Sequence, residues 1–222
     1  MMSNANCLSR WRLYVIIDVS CAGARDLSRL TEEAIRGGAD AIQLRDKRSP
    51  TRAVLQRARD LHRVTRPAGV PLIINDRLDI ALAVGAEGVH VGQDDLPVAA
   101  AKALLGRGRI VGQSTHSLEQ ALQAQQEGAD YIAVGPVYPT PTKPDASHVG
   151  LPLITTVKAR VKAPMVCIGG IDHGTLPAVL AAGAPCVAVV RAVCGADHPE
   201  AAARRLKDIL TQFFHEPSPS SL

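Results

Sequence analysis

One local pattern recurs four times along the chain: Gly-Ala followed by a short apolar run. It reads GADAIQL from Gly38, GAEGVHV from Gly85, GADYIAV from Gly128 and GAPCVAVV from Gly183. Each copy follows a segment of helical character, such as SLEQALQAQQE at 117–127. A glycine just past a helix end accepts a left-handed backbone, and an apolar run after it suits a buried strand. The copies start 47, 43 and 55 residues apart. A whole βαβ crossover takes only about 30 residues, so a further strand belongs in each interval. LYVIID (13–18), PLIIN (71–75), RIVGQS (109–114) and PMVCIG (164–169) supply them. Eight strands then alternate with helices expected over about 26–37, 50–66, 77–84, 96–106, 117–127, 151–161, 173–182 and 198–214. Several strands are apolar on both faces, as parallel strands covered by helices are. The pattern predicts an α/β chain forming a (β/α)8 TIM barrel in a single domain. An open doubly wound sheet is the alternative. A short N-terminal extension (about 1–11) and a polar, frayed tail, EPSPSSL at 216–222, flank the barrel.

Composition narrows the function classes. The net charge is +4, but Lys and Arg are scattered, and aromatic residues make up only 3%. Without a basic cluster or stacking platforms, nucleic-acid binding is disfavoured. The five cysteines, Cys7, Cys21, Cys167, Cys186 and Cys194, are odd in number and lack CxxC spacing. They read as incidental thiols of a reducing compartment. The first residues carry no apolar signal core, and no apolar run approaches membrane-spanning length. The expected location is the cytoplasm, with small-molecule partners, no membrane contact and a possible homo-oligomer.

Chemistry in such a barrel gathers at the C-terminal ends of the strands. After the second strand comes QLRDK, where Gln43, Arg45 and Lys47 alternate with Leu44 and Asp46. Period two puts the three on one side, where two cations and an amide suit phosphate or diphosphate. A surface salt-bridge cluster with Asp46 explains the motif equally well. After the third strand, Asn75 is followed by Asp76, which taken alone reads as the cap of a helix starting near Arg77. After the fourth comes HVGQDDLP, where an Asp again suits a cap and Pro97 the first turn. Third and fourth strands are barrel neighbours, however. Acidic groups on both suggest a shared Mg²⁺, which takes one or two carboxylates plus water and phosphate oxygens.

After the fifth strand, GQSTHS offers Ser114 and His116. A Ser-His acyl-transfer pair is disfavoured, because no GxSxG turn is present. Ser117 reads as a helix cap and His116 as a polar wall residue. After the sixth comes GPVYPTPTKPD, a stiff, helix-breaking loop containing Pro139, Pro141 and Pro144. Gly169 and Gly170 follow the seventh strand and allow close backbone approach to a ligand. VVRA follows the eighth at the start of a helical turn. Loops seven and eight with a helix N-terminus are the usual phosphate site of these barrels.

Taken in order, QLRDK, IINDR, HVGQDDLP, GQSTHS, GPVYPTPTK and IGGI resemble the thiamine phosphate synthase family over roughly residues 13–210. The resemblance implies an Mg²⁺-dependent transferase of thiamine biosynthesis. It would join 4-amino-2-methyl-5-hydroxymethylpyrimidine diphosphate to 4-methyl-5-(2-phosphoethyl)thiazole, giving thiamine monophosphate and diphosphate. Diphosphate leaves first, and the thiazole nitrogen captures the pyrimidine cation. By the same resemblance Gln43, Arg45, Lys47, Asn75 and Ser114 contact the pyrimidine diphosphate, and Asp76 and Asp95 hold Mg²⁺. Thr140 and Thr142 line the thiazole phosphate site, Lys143 reaches the leaving diphosphate, and Gly170 and the backbone near Val190 bind the thiazole phosphate. Lys143, Ser114, Arg45 and Lys47 form the implied catalytic set. Arg191 stands where a small Ser is common, and its guanidinium is a candidate extra phosphate contact. Two alternatives accompany this reading: a thiazole tautomerase using His116, and a non-catalytic phosphate-binding barrel. Neither needs the Asp pair or the Thr-x-Thr-Lys run.

Overall fold

A computed structural model describes residues 8–142 and 147–215. Among them, eight parallel strands close into a barrel in sequence order. The strands are β1 (Leu13–Asp18), β2 (Ala41–Arg45), β3 (Leu72–Asn75), β4 (Gly88–Val91), β5 (Ile110–Thr115), β6 (Tyr131–Val134), β7 (Met165–Ile168) and β8 (Val187–Val189). β1 closes the ring on β8, with Leu13 opposite Val187. The open-sheet alternative is thereby excluded. The eight expected helices all form, as α2 (Leu27–Arg36), α3 (Thr51–Thr65), α4 (Leu78–Val84), α5 (Val98–Leu105), α6 (Leu118–Gln126), α7 (Gly150–Arg160), α8 (Leu176–Ala181) and α10 (Pro199–His215). Two one-turn helices join them: α1 (Val19–Ala22), which the sequence reading lacks, and α9 (Arg191–Cys194), the helical turn expected at VVRA.

The glycine signal has a direct backbone cause. Gly38, Gly85, Gly128 and Gly183 all sit at positive φ, from 73° to 104°, where any side chain would strain the backbone. Ser117 caps α6 through Gln120 N at 3.3 Å. Pro97 is the residue before α5 rather than part of its first turn.

Side chains divide into two apolar shells. One packs helices against the outside of the barrel and includes Leu30, Leu61, Val98, Ile154 and Leu206. The other fills the barrel itself, with Leu8, Trp11, Tyr14, Ile73, Ile110 and Tyr131. The Trp11 ring meets Tyr14 and Tyr131 at centroid separations of 5.5 and 5.8 Å. Leu8 and Trp11 therefore plug the N-terminal end of the barrel. Within the expected extension of about 1–11, Leu8 and Trp11 are core while Ser9 and Arg10 between them are exposed, because the open end of a barrel needs an apolar stopper. The expected frayed tail at 216–222 and Cys7 lie outside the described residues. Cys21, Cys167, Cys186 and Cys194 are free thiols, and burial pushes Cys167 and Cys194 up to about 12. No helix among the described residues is long and apolar enough to cross a membrane.

Candidate active site

A cavity of about 750 Å³ opens at the C-terminal end of the strands. Tyr14 is part of its lining, with the small Ala133 and Ala188 side chains leaving space in the wall. Of the residues singled out in the sequence, Gln43, Arg45, Asn75, Ser114, His116, Thr140, Thr142, Gly170, Val190 and Arg191 all line this one space. All eight strands thus contribute residues to a common pocket. Lys143 lies outside the described residues.

The cations of QLRDK separate. Arg45 forms a buried ion pair with Asp18 at the end of β1. The two face each other in the β1–β2 register. Burial works to raise the Asp18 carboxyl, but bonds from Ser20 and Arg45 outweigh it and hold the group below its ordinary value. Lys47 does not line the cavity. β2 ends at Arg45, so the period-two expectation does not extend to Lys47, whose Nζ lies 3.0 Å from Asp76 Oδ2. Asp46 takes neither cation. It pairs with Arg57 and accepts from Ser49 N at 3.1 Å, so the salt-bridge cluster expected around it does not form.

Asp76 is no helix cap. Arg77 occupies the position before α4, with no side-chain cap. Asp76 instead has φ 59°, alone among the non-glycine described residues in being positive. Such a backbone costs of order 1–3 kcal/mol and persists only where its surroundings impose it. Here the Asp76 amide donates to the His90 carbonyl of β4 at 2.8 Å. Burial pushes the Asp76 carboxyl upward, Lys47 works against that, and the adjoining Asp95 carboxyl adds to it. Asp95 is held in turn by Gly92 N, 2.7 Å from its Oδ2. Two carboxylates from neighbouring strand ends therefore sit together, one residue beyond the cavity-lining Asn75. Among the described residues no group of three or more His, Cys, Asp or Glu is arranged around a metal position. A pair suits a hard cation that completes its shell with water and phosphate oxygens, as Mg²⁺ does.

The loop after β6 is built onto β7. Val137 N donates to Ile168 O at 2.8 Å and Tyr138 N to Gly169 O at 3.0 Å. A Cβ at Gly169 would lie 2.5 Å from Pro136 Cα, and one at Gly170 2.6 Å from Tyr138 Cβ. The close approach expected of this glycine pair is thus made by the proline loop, which brings Thr140 and Thr142 over the cavity beside Gly170. Thr142 N donates to Thr140 Oγ1 at 3.3 Å.

Ser114 has a histidine partner, but it is His90, whose Nε2 is 2.8 Å from Ser114 Oγ. His116 turns to the Gly135 carbonyl. Asp18, Tyr14 and His90 are the site residues that sequence reasoning missed. Tyr14 and His90 lie inside runs that read as apolar strands, and a polar residue at an inward position was the only signal.

The family model described as thiamine monophosphate synthase matches residues 13–193. A thiamine-phosphate synthase of Chloroflexus aurantiacus is 48% identical over 202 residues, covering 90% of this chain and 93% of its own. One from Moorella thermoacetica is 46% identical over 206 residues, covering 92% and 98%. Among solved structures, a thiamine phosphate pyrophosphorylase from Pyrococcus furiosus superposes with TM-score 0.85 at 37% identity, covering 93% of this chain and 98% of its own.

Proposed function

Because the chain belongs to the thiamine monophosphate synthase family, a family of transferases, we propose that it joins the pyrimidine diphosphate and the thiazole phosphate to give thiamine monophosphate and diphosphate. One observation carries this reading beyond membership. A single cavity has Gln43 and Arg45 on one wall and Thr140, Thr142 and Gly170 on another, with a crowded carboxylate pair beside it. Two anionic groups can thus be held apart while the carbon between them reacts.

In the proposed reaction the pyrimidine C–O bond breaks and its electron pair leaves with diphosphate. The thiazole nitrogen lone pair then forms the new C–N bond, and the positive charge passes to the thiazolium ring. No proton moves, so no general base is required. Departure of a polyanion is the demanding step, and preorganised cations at the leaving oxygens lower its barrier. Arg45, held at the cavity wall by Asp18, would serve that task, and Lys47, outside the cavity lining and paired with Asp76, would have to turn inward to join it. Asp76 and Asp95 would hold Mg²⁺, which supplies charge neutralisation at the diphosphate. Lys143 would add a further cation, Gly170 and the backbone near Val190 would take the thiazole phosphate, and Arg191 would supplement them. Enclosure by the proline loop keeps water from trapping the cation.

The test is an assay with both substrates. Thiamine monophosphate and diphosphate should form with Mg²⁺ and stop with EDTA. Turnover of the thiazole precursor without the pyrimidine would instead identify a tautomerase. Lys143→Ala should lower kcat roughly 30-fold, the loss of about 2 kcal/mol of charge-assisted bonding. A rate within twofold of the parent would remove Lys143 from the reaction.

A further inference from the structure

The barrel interior holds a polar chain whose middle members, Tyr14, Tyr131 and His90, are given no role in the proposed reaction. Gln43 Nε2 donates to Tyr14 Oη at 2.8 Å. Tyr14 Oη lies 3.1 Å from Tyr131 Oη, and Tyr131 Oη lies 2.9 Å from His90 Nδ1. His90 Nε2 completes it at Ser114 Oγ, 2.8 Å away. The chain runs from β2 through β1, β6 and β4 to β5, and every member except Tyr131 lines the cavity. Its middle is nonetheless buried: Tyr14 is 1% exposed, Tyr131 0% and His90 7%.

The chain has a direction. A phenol has one proton and, once it accepts, gives that proton onward. With the Gln43 amide donating, Tyr14 gives its proton to Tyr131 and Tyr131 gives its proton to His90 Nδ1. A ring whose Nδ1 accepts carries its proton on Nε2, and Nε2–H then donates to Ser114 Oγ. The Ser114 proton is left for the cavity. Burial raises the pKa of both phenols, so neither loses the proton on which the sequence of bonds depends. The same direction denies Ser114 a base, since His90 has no lone pair to offer it.

We propose that Tyr14 and Tyr131 are positioning residues, which through His90 hold Ser114 as a hydrogen-bond donor facing the pyrimidine substrate. A pair of phenylalanines would fill the same interior without the desolvation cost of two hydroxyls. The barrel also makes specific room for this arrangement. A Cβ at Gly112 would come within 2.0 Å of the Tyr131 ring, so the facing strand carries no side chain there. The substrate named in this inference rests on the synthase reading; the bond direction does not.

Nitrogen-15 NMR of histidine-labelled full-length protein reads that direction without any turnover. His90 should show a protonated Nε2 and a bare Nδ1, and Tyr131→Phe should turn this single tautomer into a mixture. Tyr14→Phe provides a second, milder break and should shift the populations the same way. A proton on Nδ1 in the parent, or an unchanged tautomer in both variants, overturns the proposal. In the synthase assay Tyr131→Phe should lower kcat by about tenfold, the effect of one buried hydrogen bond, with KM little changed. Ser114→Ala combined with Tyr131→Phe should be no slower than Ser114→Ala alone, because the phenol acts only through that serine. Fully multiplying losses would show a merely structural tyrosine and overturn the role. A parent without synthase activity would sink the substrate assignment while the NMR result still stood or fell by itself.

Discussion

Asp76→Asn is expected to lose about 100- to 1,000-fold in kcat and most of its response to Mg²⁺, while the metal-free fold keeps or slightly raises its melting temperature. The two halves of this expectation come from one geometry. Burial and the adjoining Asp95 both resist charge on Asp76, and only Lys47 favours it. The folded state therefore binds the Asp76 proton more tightly than the unfolded chain does. At neutral pH its ionised form is a net cost to the fold. An amide of the same shape removes that cost, and asparagine tolerates the positive φ that Asp76 adopts. In the proposed reaction catalysis would lose a cation ligand, worth several kcal/mol of transition-state charge stabilisation. Asp95→Asn should behave alike in activity but lose some stability, since its carboxylate also accepts from Gly92 N at 2.7 Å. Calorimetry without metal, beside a Mg²⁺ titration of the rate, separates the outcomes. A large fall in melting temperature for Asp76→Asn with Mg²⁺ response intact would make the carboxylate a structural group, through its pair with Lys47, rather than a cation ligand.

Such a site is half legible in the sequence, for physical reasons. β1 was readable to its end residues, 13–18, because a continuous apolar run between polar flanks has no other economical fold. The glycine punctuation was equally plain, because positive φ is a property of single residues. Strand ends were found by counting from these marks. Pairings between strands were not. Asp18 and Arg45 are 27 residues apart in sequence, and their meeting depends on the register between β1 and β2, which neither strand carries alone. Lys47 departs from the cavity because β2 stops at Arg45, and the last paired residue of a strand is set by its neighbours. His90 and Tyr131 were hidden for a different reason. An isolated polar side chain in an apolar run is satisfied only by partners on other strands, here Tyr14 and Ser114. The motifs therefore located the site, while the barrel's register chose which residues complete it.

Arg45→Ala should be the most damaging change to the fold within the cavity wall. Removing one partner of a buried ion pair costs about 3–5 kcal/mol. In a chain of this size that lowers the melting temperature by roughly 10 °C. Asp18 is 1% exposed and would keep the Cys21 amide at 3.0 Å and the Ser20 hydroxyl, but no cation. Acid unfolding identifies the cause. The folded-state value of Asp18 is depressed, so its contribution is complete above the unfolded carboxylate value of about 3.9. That contribution is lost as pH falls from there through the lower folded value. Arg45→Ala should flatten this part of the stability profile, because the guanidinium helps to produce the depression. The combined variant with Asp18→Asn should recover much of the lost stability, since no buried charge then remains unpaired. Activity should not recover with it. Arg45 lines the cavity, and in the proposed reaction the neutral pair would offer the departing diphosphate no cation, so the rate should stay about 100-fold down, the cost of about 3 kcal/mol. Recovery of both properties together would mean that Arg45 serves the fold alone.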